Sequence, residues 1–175
     1  MVVGEIIEER DLVIIGGGPG GYSAAIRAAQ LGLKVTLIER NKLGGACLHV
    51  GCIPSKLWAH AAKKYSEIRH LNEIGILMEN VTYDIEKLLR YQTKVINQLE
   101  KGIQALCKAN EVEIIEGIAT FIADDRIGVE NGHQFDTYKF KQAIIATGSK
   151  VVPIENLPMN QKRIFYADEI YQLQE

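Results

Sequence analysis

Residues 11–21 read DLVIIGGGPGG, and this stretch decides the fold. Asp11 to Gly16 is a short run dominated by Val and Ile, the pattern of a buried strand. Gly20 to Leu31 is Ala-rich and helical, with Gly32 where a helix C-terminal glycine belongs. Lys34 to Glu39, KVTLIE, is a second β-branched strand. Strand, helix and strand within about 30 residues make a βαβ unit, which demands a parallel pair and a right-handed crossover. Gly16, Gly18 and Gly21 form G-x-G-x-x-G between the first strand and the helix. Gly16 permits the tight turn, Gly18 lets a pyrophosphate approach the backbone, and Gly21 lets the helix pack close to the sheet. The helix N-terminus then meets the phosphates with free N–H groups and the positive end of its dipole. Glu39, closing the second strand, suits the hydroxyls of a ribose and repels a 2′-phosphate, which favours FAD or NAD over NADP. The loop alone does not separate FAD from NAD.

Outward from this unit, Asn41 to Ser55 is irregular, with Gly44, Gly45, Gly51 and Pro54. Pro54 suits the first turn of a helix running through Trp58 and Tyr65 to about Leu71. Asp84 is a candidate N-cap for a long helix with Ile85, Leu88, Leu89, Val95, Ile96, Leu99, Ile103 and Leu106 on one apolar stripe. After Asn110 come short strand-like segments, EVEIIEG, ATFIA, RIGVE, QFDTYKF and QAIIATG, with a turn signal at Asn131-Gly132. They predict a small antiparallel meander feeding one buried strand, Ala143 to Thr147. From Lys150 onward, Pro153 and Pro158 among polar residues read as a linker or tail. The expected architecture is α/β: a Rossmann-like domain over residues 1–150 with a long helical insertion, then a linker over residues 151–175.

The whole chain has 175 residues, room for one domain or two small ones, and is 47% hydrophobic and 24% charged, as in ordinary globular proteins. Lys plus Arg total 20 against 22 Asp plus Glu, so no basic excess points to nucleic acid. No apolar run approaches the roughly 18 residues that span a bilayer, and Glu5, Glu8 and Glu9 make the N-terminus too acidic for a targeting segment. The expectation is a cytoplasmic protein with neither nucleic-acid nor membrane partners.

Three cysteines in such a compartment are not a structural framework. Cys107 falls on the helical stripe and reads as packing. Cys47 and Cys52 are five residues apart, about 7.5 Å of rise on a regular helix, beyond the roughly 7 Å that a disulfide tolerates. They close only if the helix is distorted or begins between them, which Gly51 and Pro54 allow. A thiol near that helix start has its pKa lowered by the dipole. Two buried, inert thiols fit a Gly-rich loop poorly. Cys47-x-His49-x-x-Cys52 offers soft metal ligands, but a structural zinc site wants four and no second cluster exists; His60, His70 and His133 are scattered and read as solvated.

The chain resembles the flavin-dependent disulfide reductases, and within them the dihydrolipoamide dehydrogenases. Gly16, Gly18, Gly21, Ala25 and Gly32 fit that family's FAD fingerprint. Gly44-Gly45-x-Cys47-Leu48 and Gly51-Cys52-Ile53-Pro54-Ser55-Lys56 match its redox-disulfide motif, and Ala143 to Ser149 its second flavin segment, including Thr147 and Gly148. The resemblance implies that Cys52 is the thiol nearest the flavin and Cys47 the interchange thiol. It implies that Glu39 to Cys47, with Arg40, Gly44 and Gly45, runs along the FAD, that Lys56 lies near the flavin ring and that the Ala119 backbone lies near the adenine. Leu48, Ile53 and Ser55 lean toward the lipoamide members. Ala46 and His49 replace a common Thr and Asn, and His49 is placed to shift the redox poise.

The sequence carries no second G-x-G-x-x-G and no His-x-x-x-x-Glu pair, so the family's NAD site and thiol-protonating base are missing. The resemblance therefore implies a fragment, the incomplete first segment of an FAD domain, leading toward an NAD domain. The whole enzyme would oxidise dihydrolipoamide through a Cys47–Cys52 disulfide and FAD, reduce NAD, act on a lipoamide-bearing protein or small dithiol, and form a homodimer. The alternatives are another flavin disulfide or mercuric reductase, or a freestanding nucleotide-binding module without turnover.

Overall fold

Val and Ile fill the βαβ core as the patterning demands. In a computed structural model that describes residues 8–155 and 164–172, Leu12, Val13 and Ile14 of β1 (Glu8–Ile15) and Val35 to Ile38 of β2 (Val35–Glu39) are buried. Between them α1 (Pro19–Gln30) packs Ala25 and Ala28 inward, and Pro19 occupies its first turn. Then follow α2 (Gly45–His49), α3 (Cys52–His70), a 3₁₀ turn (Leu71–Ile74) and α4 (Ile85–Ala109). The chain continues into β3 (Glu113–Glu116), β4 (Ile118–Ala123), β5 (Arg126–Asn131) and β6 (Gln134–Ile145), and a 3₁₀ turn at Ile170–Gln172. Among the described residues no helix is long and apolar enough to cross a membrane.

The chain divides into two units, Met1–Gly45 with Glu100–Lys150, and Ala46–Leu99 with Val151–Glu175. The first holds one six-stranded sheet in the order β3-β2-β1-β6-β5-β4. β3, β2, β1 and β6 run parallel, and β6, β5 and β4 form an antiparallel meander. This is the expected Rossmann-like α/β fold with a meander, and three details differ from the sequence reading. EVEIIEG supplies β3, a parallel edge strand beside β2, and is not part of the meander. QFDTYKF and QAII are one continuous strand, whose first half pairs with β5 and whose second half pairs with β1. It ends at Ile145, and the stretch from Ala143 to Thr147, expected to be a buried strand, leaves Ile144 and Ile145 exposed. β1 already includes Glu8 to Arg10, ahead of the expected Asp11, and Arg10 is drawn into the sheet. Its guanidinium, 2% exposed, donates to Thr36 Oγ1 at 2.7 Å and to Glu113 Oε2 at 2.7 Å, and stacks 5.4 Å from the Tyr138 ring centroid.

In the second unit, Asp84 caps α4 as read, accepting a hydrogen bond from the Lys87 N–H at 2.9 Å. Gln92 interrupts the apolar stripe and is buried on it. It accepts from Trp58 Nε1 at 2.7 Å and donates to the Tyr171 carbonyl at 3.2 Å, tying the 3₁₀ turn at Ile170–Gln172 to α3 and α4. Leu99 and Leu106, assigned to the stripe from sequence, are exposed, because the buried face passes through Ile96 and Cys107. His60, His70 and His133 are exposed as expected. Glu5 and Pro158 lie outside the described residues.

Candidate nucleotide cradle and dithiol

The cradle belongs to the first unit and forms at the C-terminal ends of β1, β2 and β6, the edge of a parallel sheet where ligands bind. Gly16 turns with a left-handed φ of 103°, and a side chain there would run into the Ala146 carbonyl. At Gly21 a side chain would strike the Gly16 carbonyl, so the helix reaches the sheet only because both are glycine. Gly18 is different. A Cβ on it would meet nothing closer than Gly45 Cα at 3.9 Å, so no protein atom requires glycine at that position. The space over Gly18, beside the N-terminus of α1, is open. Gly18 caps α1 without a side-chain hydrogen bond, leaving the first-turn N–H groups for an anion.

Glu39 is held at both oxygens. Oε2 accepts from the Gly17 N–H at 2.6 Å and Oε1 from the Asn41 N–H at 2.8 Å. Each oxygen keeps a lone pair, so the carboxylate is fixed in place and still able to accept from a diol. Glu39 and Arg40 line a pocket of about 130 Å³ with Gly16, Ala119 and Thr147, five positions singled out from sequence. Ile15, Ile38, Gly117 and Ile118 complete its walls and were missed. The signal for Gly117 was the glycine ending EVEIIEG: a Cβ there would sit 2.6 Å from Val129 Cγ1, and its N–H donates to the Glu39 carbonyl at 2.9 Å. The Gly44 N–H donates to the Gly17 carbonyl at 2.8 Å, and Gly45 packs so closely that a Cβ would lie 2.8 Å from Gly18 Cα. Thr147, Gly148 and Ser149 follow β6 and are exposed. An apolar-walled pocket beside a fixed carboxylate and a helix N-terminus has the donor and acceptor set for the adenosine diphosphate half of a dinucleotide.

The dithiol belongs to the second unit. α2 ends at His49 and α3 begins at Cys52, so a helix does start between the two cysteines. Gly51 makes the reversal: a Cβ there would lie 3.1 Å from the Ala46 carbonyl oxygen and 3.5 Å from Cys47 Cα. Cys47 is half-buried and Cys52 exposed, and both are free thiols within hydrogen-bonding reach. That hydrogen bond with the Cys52 sulfur, then burial and the negative charge on Cys52, hold the Cys47 thiol above the ordinary thiol range. The helix-start effect expected to lower a thiol pKa is present, in the Cys52 N–H directed at Cys47, and Lys56 adds to it; at Cys47 both are outweighed. Lys56 is exposed on α3. Cys107 is fully buried in the first unit, where burial alone raises its pKa, so it is packing as read. No group of three or more metal-ligating side chains occurs among the described residues.

Residues 10–175 match the family model described as pyridine nucleotide-disulphide oxidoreductase. The chain belongs to that family. It is 46% identical over 162 residues to the dihydrolipoyl dehydrogenase of Geobacillus stearothermophilus, covering 93% of this chain and 34% of the relative. It is 44% identical over 175 residues to the Staphylococcus aureus enzyme of the same name, covering 100% and 37%. Among solved structures it is similar to the copper(II) complex of the HOCl-induced flavoprotein disulfide reductase RclA from Escherichia coli. That match has TM-score 0.78 and 23% identity over 97% of this chain and 35% of the other, a likeness of fold. The chain thus spans about a third of the length of the relatives it matches. Family membership bears out the resemblance read from the glycine and cysteine motifs.

Proposed function

We propose that this chain is the part of a dihydrolipoyl dehydrogenase-type oxidoreductase that grips FAD by its adenosine half and carries the redox dithiol. In this reading Gly16, Gly18 and Gly21 face the pyrophosphate, Glu39 and Arg40 the adenosine ribose, and Ala119 the adenine. Gly44, Gly45, Thr147, Gly148, Ser149 and Lys56 belong toward the flavin half. Residues 1–150 form the first segment of the FAD domain and residues 151–175 lead toward an NAD domain. Bound FAD would supply a two-electron acceptor for the dithiol and, through NAD, an outlet for those electrons.

The observation that carries the reading is the hydrogen-bonded pair Cys47 and Cys52 across a helix start, in a chain of this family. As a disulfide, the pair accepts a thiolate of dihydrolipoamide at the Cys47 sulfur; a mixed disulfide forms, the Cys47–Cys52 bond breaks, and Cys52 leaves as thiolate. The second substrate thiol then attacks the substrate sulfur bonded to Cys47, closing lipoamide and releasing Cys47. The substrate loses two electrons and the pair gains them. The raised Cys47 pKa supports its taking up a proton as it is released. A reducing cytoplasm suits a pair that cycles in this way, and the resemblance implies a homodimer acting on a lipoamide-bearing protein or small dithiol.

The test is to oxidise the chain mildly, remove the oxidant, add dihydrolipoamide without oxygen, and alkylate and map the cysteine peptides. The reading expects a Cys47–Cys52 bridge before reduction and two new alkylated sites afterwards, with one lipoamide formed per chain. A bridge to Cys107, or a pair that the dithiol leaves closed, would overturn it.

A further inference from the structure

Cys52 opens α3, so whatever fixes α3 along and about its axis also fixes that sulfur against Cys47 on α2. Gln92 does this from α4. It is buried, 7% exposed, on an otherwise apolar stripe, where a side-chain amide is costly unless both ends are used. Both are: Oε1 accepts from Trp58 Nε1 at 2.7 Å, and Nε2 donates to the Tyr171 carbonyl at 3.2 Å. The Tyr171 ring closes edge-on against the Trp58 indole, their centroids 5.9 Å apart. Trp58 stands six residues after Cys52 on the same unbroken helix, about 9 Å of rise. Between them Pro54 is fully buried. The turn into the helix is crowded too, since a Cβ on Gly51 would lie 3.1 Å from the Ala46 carbonyl oxygen. All of these residues belong to the second unit. The start of α3 is therefore held by α2 and, less than two turns in, by Gln92.

We propose that Gln92 is a positioning residue that holds α3 in the register of the open, reduced pair and so sets the reduction potential of Cys47 and Cys52. This rests on the reading that the pair cycles between dithiol and disulfide. The Trp58–Gln92–Tyr171 node is complete while both thiols are free. Closing the bridge draws two sulfurs from hydrogen-bonding reach to about 2 Å. With no slack at Gly51, the start of α3 moves with them. A shift carried along the helix pulls Trp58 away from Gln92, and hydrogen bonds weaken steeply as they misalign. The node and the disulfide thus oppose one another, and by linkage the loss of one favours the other. Neither Gln92 nor Trp58 lies in the glycine or cysteine motifs.

The test equilibrates the 175-residue chain with mixtures of reduced and oxidised glutathione without oxygen, then traps and maps the cysteine peptides. Two glutathione thiols give two electrons and two protons to the Cys47–Cys52 bridge and leave as one glutathione disulfide. The variants are Gln92→Met, Trp58→Phe and the two together, with melting temperatures recorded in parallel. Gln92→Met strands the indole N–H and Trp58→Phe strands the amide oxygen, so each alone should melt lower. The double variant keeps neither group and should regain part of that loss; it also keeps the proposal testable if the single variants fold poorly. All three should favour the disulfide about fivefold more than the wild type does, the worth of one hydrogen bond. That is a potential lower by about 20 mV. Variants that melt lower with the potential unchanged or raised overturn the role of Gln92, as does a potential that returns to the wild-type value in the double variant. A wild-type pair that glutathione neither closes nor opens overturns the reading beneath the proposal.

Discussion

Cys47 and Cys52 are chemically unequal, and at the residue scale that inequality is the property most directly open to measurement. The folded chain keeps the Cys47 proton longer than the unfolded chain does. The stability this contributes is therefore whole at neutral pH and fades as pH climbs through the thiol range. Only thiolate reacts with an alkylating agent, and Cys52 is also the more exposed of the two. At pH 8 iodoacetamide should label Cys52 first, Cys47 more slowly and buried Cys107 last, read by mass spectrometry of the peptides. Labelling of Cys47 ahead of Cys52 would contradict the assignment. That the two thiols come within reach of each other was legible in sequence, because Gly51 and Pro54 are local signals for a helix start. The direction of the Cys47 shift was not, because it depends on the Cys52 sulfur lying within reach.

Elements were legible where local pattern decides them and illegible where a distant partner does. α1, α3, α4 and β2 follow from periodicity, caps and glycine placement, each set within a few residues of chain. The first residues of β1 do not, since Glu9-Arg10 looks like solvent-facing chain until Glu113, more than a hundred residues away, accepts from the guanidinium. The same pair explains β3, a strand too short and too acidic to read as part of a parallel sheet. Glu113→Ala leaves a buried guanidinium without its carboxylate, and should cost about 1–3 kcal/mol in urea unfolding; the half-exposed glutamate keeps this below the cost of breaking a fully buried pair. An unchanged midpoint would show that Thr36 and Tyr138 satisfy Arg10 without it. Gln92 was illegible for a related reason: a polar residue on an apolar stripe reads as an interruption until Trp58 and Tyr171 are seen to use both ends of its amide.

At the scale of the whole molecule, β6 has β1 on one side throughout its second half. Among the described residues no strand lies on the other side beyond Phe140. Ile144 and Ile145 are exposed there, Ile145 at 68%. An open apolar edge is a template for pairing. The 175-residue chain should therefore associate with rising concentration in sedimentation experiments, and Ile145→Lys should suppress association without lowering the melting temperature. Association unaffected by the lysine would place the contact elsewhere. The nucleotide cradle depends on none of this, since Gly16, Glu39, Gly117 and Ala119 are fixed within one unit. The most direct test of the central claim is a fluorescence titration of the chain with FAD and with FMN, which lacks the adenosine half. FAD should bind at least about tenfold more tightly, and Glu39→Ala should weaken FAD by about 1–3 kcal/mol while leaving FMN unchanged. Equal affinity for the two flavins, or an FAD affinity indifferent to Glu39, would contradict the account.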